Sequence, residues 1–230
     1  MSDSFAVSRR AFLASATAAA GLALTGCSTT VGSRRIDLPD LGVSLPNQLN
    51  PMAYQMYAAR TDEGIGIPAV NLGKLKPGYV RADVADPTGE KPGTIVVATS
   101  ERYLYLVQDG GRAIRYGVGV GRDGFSWSGR AVVGRKAKWP TWTPPPAMQE
   151  RQPETREFAK GMPGGLSNPL GARALYIYKD GRDTIYRLHG TPETYSIGTA
   201  VSSGCVRLIN QDIIDLYSRC PVGTAIVVHG

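Results

Sequence analysis

A cysteine and a histidine set the chemistry open to this chain. Cys205 lies in "AVSSGCVRLIN" (200–210), between Gly204 and Val206, with Ser202 and Ser203 before it and Arg207 after it. The chain has three cysteines and two histidines. His229 is the penultimate residue, whereas His189 closes the run "TIYRLHG", a strand end where a scaffold can present a reactive group. A thiol becomes a nucleophile when a neighbouring base or a helix N-terminus favours its thiolate. His189 can supply the base, and a helix starting near Asn210 can add to the effect. Gly204 lets the chain turn tightly, so amide N–H groups near Cys205 can face a developing oxyanion. Arg207 can order that turn or bind a substrate carboxylate. The competing reading is a buried structural cysteine, the commoner role of the residue. The His-Gly and Ser-Gly-Cys pair brings the two readings level. With so few ligands and no Cys-x-x-Cys, no zinc site is expected.

These residues need a frame, and from Gly93 the pattern supplies strands. "GTIVVATSERYLYLVQDGGRAIRYGVGVG" has β-branched and aromatic runs broken at "TSE" and "DGG". Asp109-Gly110-Gly111 predicts a tight hairpin, because such turns need positive φ. "GRAVVGRKAKWPTW" reads as another strand, and "ARALYIYKDGRDTIYRLHG" as a second hairpin turning at Asp180-Gly181. Residues 144–171 between them are too long for a simple connection and predict a lid or binding loop, with "GMPGG" (161–165) as its lip. "NQDIIDLYSRC" predicts a short helix capped by Asn210, with Asp212 favouring its N-terminus and Ile213, Ile214, Leu216 and Tyr217 on an apolar face. "VGTAIVVHG" closes the chain as a strand. Many strands, tight turns and one or two short helices predict a mainly β domain of sandwich or barrel type.

The N-terminal part has a different character. Residues 1–27 carry Arg9 and Arg10 and then a short apolar stretch from Ala11 to Leu24, the layout of an export signal. "SRRAFLA" resembles a twin-arginine signal. "LTGC", ending at Cys27, resembles a lipobox, which makes Cys27 a lipidation site anchoring an exported, periplasmic protein to a membrane. A plain cleaved signal is the alternative. Residues 28–92 read as a spacer or as an N-terminal arm wrapped on the domain, and residues 93–230 as the catalytic domain.

The whole chain of 230 residues is 42% hydrophobic, enough for a core. Its net charge of +7 is spread out, with no basic run or aromatic-basic stripe, which argues against nucleic acid and suits an anionic polymer or membrane nearby. Gly117, Gly119 and Gly121 precede no helix, so they point to close backbone approach rather than a phosphate loop. Trp127, Trp139 and Trp142 read as core ahead of a groove lining, Tyr176 and Tyr178 share a strand face, and Cys220 reads as a buried small hydrophobe ahead of a disulfide partner of Cys205.

"HGTPETYSIGTAVSSGCVRLIN" resembles the active-site signature of the L,D-transpeptidases of the YkuD family. His189-Gly190 is followed by Ser202-Ser203-Gly204-Cys205-Val206-Arg207 and then Asn210; many members carry His where this chain has Ser203. The likeness runs from about Thr94 to Val228 and takes in "RYLYLV", "YGVGVGR", "MPGG" and "NPLGARALY". It implies a β-sandwich catalytic domain with a long lid-like loop and no cofactor. It implies Cys205 as nucleophile, His189 as proton donor and acceptor, the Gly190 carbonyl as its orienter, and the Gly204 N–H in an oxyanion hole. Arg207, Ser202, Ser203 and Asn210 are the implied substrate-binding residues. The partner is a peptidoglycan tetrapeptide stem, and the acyl acceptor a second stem, giving a 3-3 cross-link, or an outer-membrane protein. A carboxypeptidase or amidase on the same site and a silent wall-binding lipoprotein are the alternatives.

Overall fold

The computed structural model describes residues 51–121, 128–202 and 204–230, without the side chains of Val201 and Ser202. Cys27, Ser203, Trp127 and the export segment lie outside the described residues.

Helix α1 (Pro51–Met56) and the hairpin β1 (Arg60–Asp62) and β2 (Ile65–Ile67) come first, followed by β3 (Ala82–Ala85), β4 (Ile95–Ala98), β5 (Tyr103–Gln108), β6 (Arg112–Gly117) and β7 (Val120–Gly121). Then come β8 (Gly129–Lys138), α2 (Pro146–Arg151), β9 (Arg173–Lys179), β10 (Arg182–Thr191), β11 (Ala200–Ser202), β12 (Val206–Ile209), α3 (Asn210–Arg219) and β13 (Ala225–His229). Nine strands form one mixed sheet in the order β12-β10-β9-β8-β13-β4-β5-β6-β3. The β10–β12 and β13–β4 pairs are parallel.

The hairpin turns fall where residue chemistry demands. Gly110 and Gly111 take φ of 70° and 68°, and Asp180 and Gly181 take 51° and 73°, the positive values that let a tight turn follow strand twist. Alternation along the strands then fills both faces. Ile95, Val97, Leu104 and Leu106 enter the main core, while Val96, Tyr105 and Val107 build a second cluster on the other face. The main core also takes Leu188, Val206 and Leu208 from the far end of the sheet, and Ile213 and Leu216 from α3. Gly119, just after β6, exchanges N–H···O bonds of 2.9 and 2.8 Å with Arg207 of β12. The sheet therefore bends until its two halves share one core, as the layers of a sandwich do.

Residues 51–92 lie against this domain. Ala53, Tyr57, Leu72 and Leu75 pack on Ile197 and Ile209, beside the start of α3. The Tyr57 hydroxyl donates to buried Asp212 at 2.9 Å, and Arg81 pairs with Asp215 at 2.9 Å. Arg173, at the start of β9, meets both oxygens of Asp62 at 2.7 and 2.8 Å, and the Trp139 indole N–H donates to the same carboxylate. Trp139 and Trp142 are half-buried at the head of the β8–β9 connection, outside the core expected for them.

Candidate active site

The site starts from the pairing of β10 with β12. Leu188 faces Val206 and His189 faces Arg207 in parallel register. Leu188, Val206 and Leu208 turn into the core, so alternation leaves Arg187, His189, Cys205 and Arg207 to the other face. His189 is 4% exposed. Its Nδ1 lies 2.6 Å from the Gly190 carbonyl oxygen, which can only accept, so that nitrogen carries the proton. Burial pushes the imidazole down to about 4; the Gly190 and Pro169 carbonyls oppose that, while the charges of Arg207 and Arg187 add to it.

Gly190 owes its identity to crowding. A Cβ there would stand 2.3 Å from Asn210 Oδ1 and 3.0 Å from Ile213 Cγ2. That same Asn210 oxygen accepts the Ala172 N–H at 2.9 Å, holding the lead-in to β9 beside the histidine. Asn210 is thus a buried strut. The α3 cap expected from it is absent, since Ile209 occupies the N-cap position and makes no side-chain bond there.

Above His189 runs the β8–β9 connection, residues 139–172. It holds α2 and a short 3-10 turn (Pro153–Phe158), and its "GMPGG" part is tied down where Met162 and Trp142 exchange backbone bonds. Asn168, fully buried, is its hub. Nδ2 donates to the carbonyls of Pro140, Met162 and Pro163 at 3.0, 3.1 and 3.0 Å, and Oδ1 accepts the Leu170 N–H at 2.8 Å. The next carbonyl, that of Pro169, reaches the histidine.

Cys205 is half-buried and Cys220 buried, and no disulfide joins them. Gly204 before it takes φ +122°, a conformation left to glycine, and the Tyr186 ring lies 3.2 Å from where its Cβ would be. Burial pushes the Cys205 thiol up, against the Arg187 backbone N–H and the charges of Arg187 and Arg207. Arg207 is engaged by Glu193 at 2.8 Å. Ser202 ends β11, which pairs with β7. Tyr176 lies under Arg135 at 3.5 Å and Arg187 at 4.3 Å, while Tyr178 is half-buried further along β9. Sequence reasoning gave no role to Asn168, Arg187, Glu193 or Tyr186; "NPLG" was the one local sign of the first. Among the described residues, no group of three His, Cys, Asp or Glu side chains is placed to hold a metal.

An imidazole of fixed tautomer on β10 and a thiol in the glycine-shaped turn that leads into the neighbouring β12 are groups suited to acyl transfer. The L,D-transpeptidase catalytic-domain model of the YkuD family matches residues 92–228. The probable L,D-transpeptidase ErfK/SrfK of Escherichia coli K12 is 34% identical over 90% of this chain and 68% of its own length. The chain belongs to the L,D-transpeptidase family. The probable L,D-transpeptidase YbiS of the same strain is 32% identical over 90% of this chain and 72% of its own length. A Brucella melitensis crystal structure, described as a probable carnitine operon oxidoreductase, is 44% identical over 69% of this chain and 99% of that one, with a TM-score of 0.48. The assignment to the L,D-transpeptidases rests on the sequence matches and not on that overlap. Members of the family are enzymes that act on peptidoglycan peptide stems.

Proposed function

We propose that this L,D-transpeptidase works through a thioester on Cys205 and joins two peptidoglycan stems by a 3-3 cross-link. The observation that carries the reading is the Nδ1–H···O=C bond from His189 to Gly190, which leaves Nε2 to exchange a proton with the thiol. The Cys205 proton passes to Nε2 as sulfur attacks the carbonyl carbon at the L-centre of diaminopimelate in a tetrapeptide stem. N–H groups of Gly204 and Cys205 hold the oxyanion. The C–N bond to the terminal D-Ala breaks, and the departing amine takes the proton from Nε2. The side-chain amine of a second stem then attacks the thioester, gives its proton to Nε2, and the sulfur leaves to be reprotonated. An outer-membrane protein as acceptor would attach that protein to the wall, and water would make the enzyme a carboxypeptidase. No step calls for a metal or organic cofactor.

We further propose that the chain is exported and held to a membrane through a lipidated Cys27, which sets a basic domain near the wall. Loss of radiolabelled palmitate incorporation in Cys27→Ala tests that anchor; unchanged labelling sinks it.

Disaccharide-tetrapeptides incubated with the protein and resolved by mass spectrometry test the reaction. A diaminopimelate-linked dimer, absent with Cys205→Ala, is the expected product. Tripeptide alone would make the enzyme a carboxypeptidase. Intact substrate with folded, reduced protein would leave a different acyl donor or the silent wall-binding module.

A further inference from the structure

Strand β10 is irregular at one place, and that place ends at the nucleophile. Its pairing with β9 goes from Asp183↔Tyr178 to Arg187↔Tyr176, so β10 takes four steps where β9 takes two. Inside this bulge Ile185 adopts φ 63° and is 74% exposed. A β-branched side chain is poorly suited to left-handed backbone, and an exposed one recovers nothing by burial. The conformation is imposed by its neighbours. Asp183 Oδ1 accepts the Ile185 N–H at 2.8 Å and the Arg187 Nη1 at 2.6 Å, and Oδ2 accepts Nη2 at 2.9 Å. The Thr184 hydroxyl donates to the Ile177 carbonyl at 2.7 Å. Beyond the bulge the Tyr186 ring lies 3.2 Å from the Cβ position of Gly204, and the backbone N–H of Arg187 donates to the Cys205 sulfur.

We propose that Asp183 is a positioning residue for acyl transfer: by clamping the β10 bulge it aims the Arg187 N–H at the Cys205 sulfur and sets the Tyr186 ring against the Gly204 turn. The proposal rests on Cys205 being the nucleophile. Its physical basis is that a bulge changes which way the following backbone groups point, so a relaxed bulge would turn the Arg187 N–H away from the sulfur. The charges that act on the sulfur are Arg187 on β10 and Arg207 on β12, and His189 stands opposite Arg207 in the register.

Two variants separate position from charge. Asp183→Asn keeps an oxygen for the Ile185 N–H and Arg187 Nη1, but removes the negative charge, which by itself favours the thiolate, and the second acceptor, that for Arg187 Nη2. Asp183→Ala removes the remaining oxygen as well. Alkylation of Cys205 by iodoacetamide is followed by peptide mass across the thiol titration range, with the full chain, alongside kcat and KM. Asp183→Ala is expected to react about tenfold more slowly at neutral pH, its profile moved up by about one pH unit, with kcat falling in step. Asp183→Asn is expected to react at least as fast as the wild type. Equal rates in the two variants, a faster Asp183→Ala, or lost stability with an unmoved profile overturns the proposal. A second measurement needs no variant: the Arg187 amide NMR shift follows the titration of Cys205, and an amide that ignores it also overturns the proposal. Transfer that survives Cys205→Ala would instead remove the nucleophile reading itself. Transfer lost in Cys205→Ala but untouched in Asp183→Ala would remove only the role of Asp183.

Discussion

Gly190→Ala puts a methyl group where the site has no space. The new Cβ would stand 2.3 Å from Asn210 Oδ1, 3.0 Å from the Ala172 nitrogen and 3.0 Å from Ile213 Cγ2. Ordinary contact needs roughly an ångström more than the first of these, so the Asn210 oxygen must retreat by about that much. It now accepts the Ala172 N–H at 2.9 Å, so a retreat of that size breaks the bond. A buried N–H left unpaired costs about 1–3 kcal/mol, and overpacking adds a further ~1–3 kcal/mol. The expected loss is therefore about 2–6 kcal/mol, a large part of the stability of a typical domain. Urea denaturation of Gly190→Ala, Asn210→Ala and the double variant measures it. Asn210→Ala alone loses the same hydrogen bond, so the double variant should lie within about 1–2 kcal/mol of that single variant, not at the sum. Strictly additive costs would refute the view that Gly190 is small because Asn210 must pass it. Activity should fall in all three, since the Gly190 carbonyl that moves is the one 2.6 Å from His189 Nδ1.

Further outcomes follow from the same geometry. Asn168→Ala strands the carbonyls of Pro140 and Pro163, leaves that of Met162 with only the Trp142 N–H, and should cost about 2–3 kcal/mol in denaturation, with earlier proteolysis within residues 139–172. Burial pushes buried Asp212 up to about 7, above its unfolded value near ~3.9, so its contribution to stability is complete below ~4 and is lost as pH rises toward 7. Asp212→Asn should therefore be about 1–3 kcal/mol more stable than wild type at pH ~8 and no more stable at pH ~4, as thermal melts at the two pH values will read. Ile185→Gly relieves left-handed strain at φ 63° and should raise stability by about 1 kcal/mol; a lower melting temperature would mean the backbone there is unstrained.

What the sequence revealed was local. Asp109-Gly110-Gly111 and Asp180-Gly181 carry their turn geometry in the residues themselves, and "NQDIIDLYSR" carries the helix in its spacing. His189, Gly190, Gly204 and Cys205 could be named as one constellation; the first two lie on β10, and the others in the turn that leads into its parallel neighbour β12. What stayed hidden was long-range. Asn210 is as good a cap residue as any, yet Ala172, distant in sequence, takes its side chain instead. Period and composition cannot announce that Tyr57 reaches Asp212, or that the segment after β6 pairs with β12. The bulge in β10 runs against propensity, since nothing about an isoleucine suggests left-handed backbone. Its cause, Asp183, becomes visible only once the register is known.

The electrostatics of the site bear on how the proposed reaction begins. Burial pushes His189 down to about 4 and pushes the Cys205 thiol up, so both shifts favour the neutral forms. Those directions weigh against a thiolate and imidazolium pair ahead of substrate. An ion pair formed ahead of substrate would have to be held in the same buried space by groups already engaged, Arg207 by Glu193 and Arg187 by Asp183. In the proposed reaction this fits a proton that moves to His189 as sulfur attacks. At that stage the negative charge is passing from sulfur to the oxyanion, where the N–H groups of the Gly204 turn can take it up. The frame that makes this work is the buried one: Asn168 and Asn210 hold the chain over His189, and Gly190 lets them close on it.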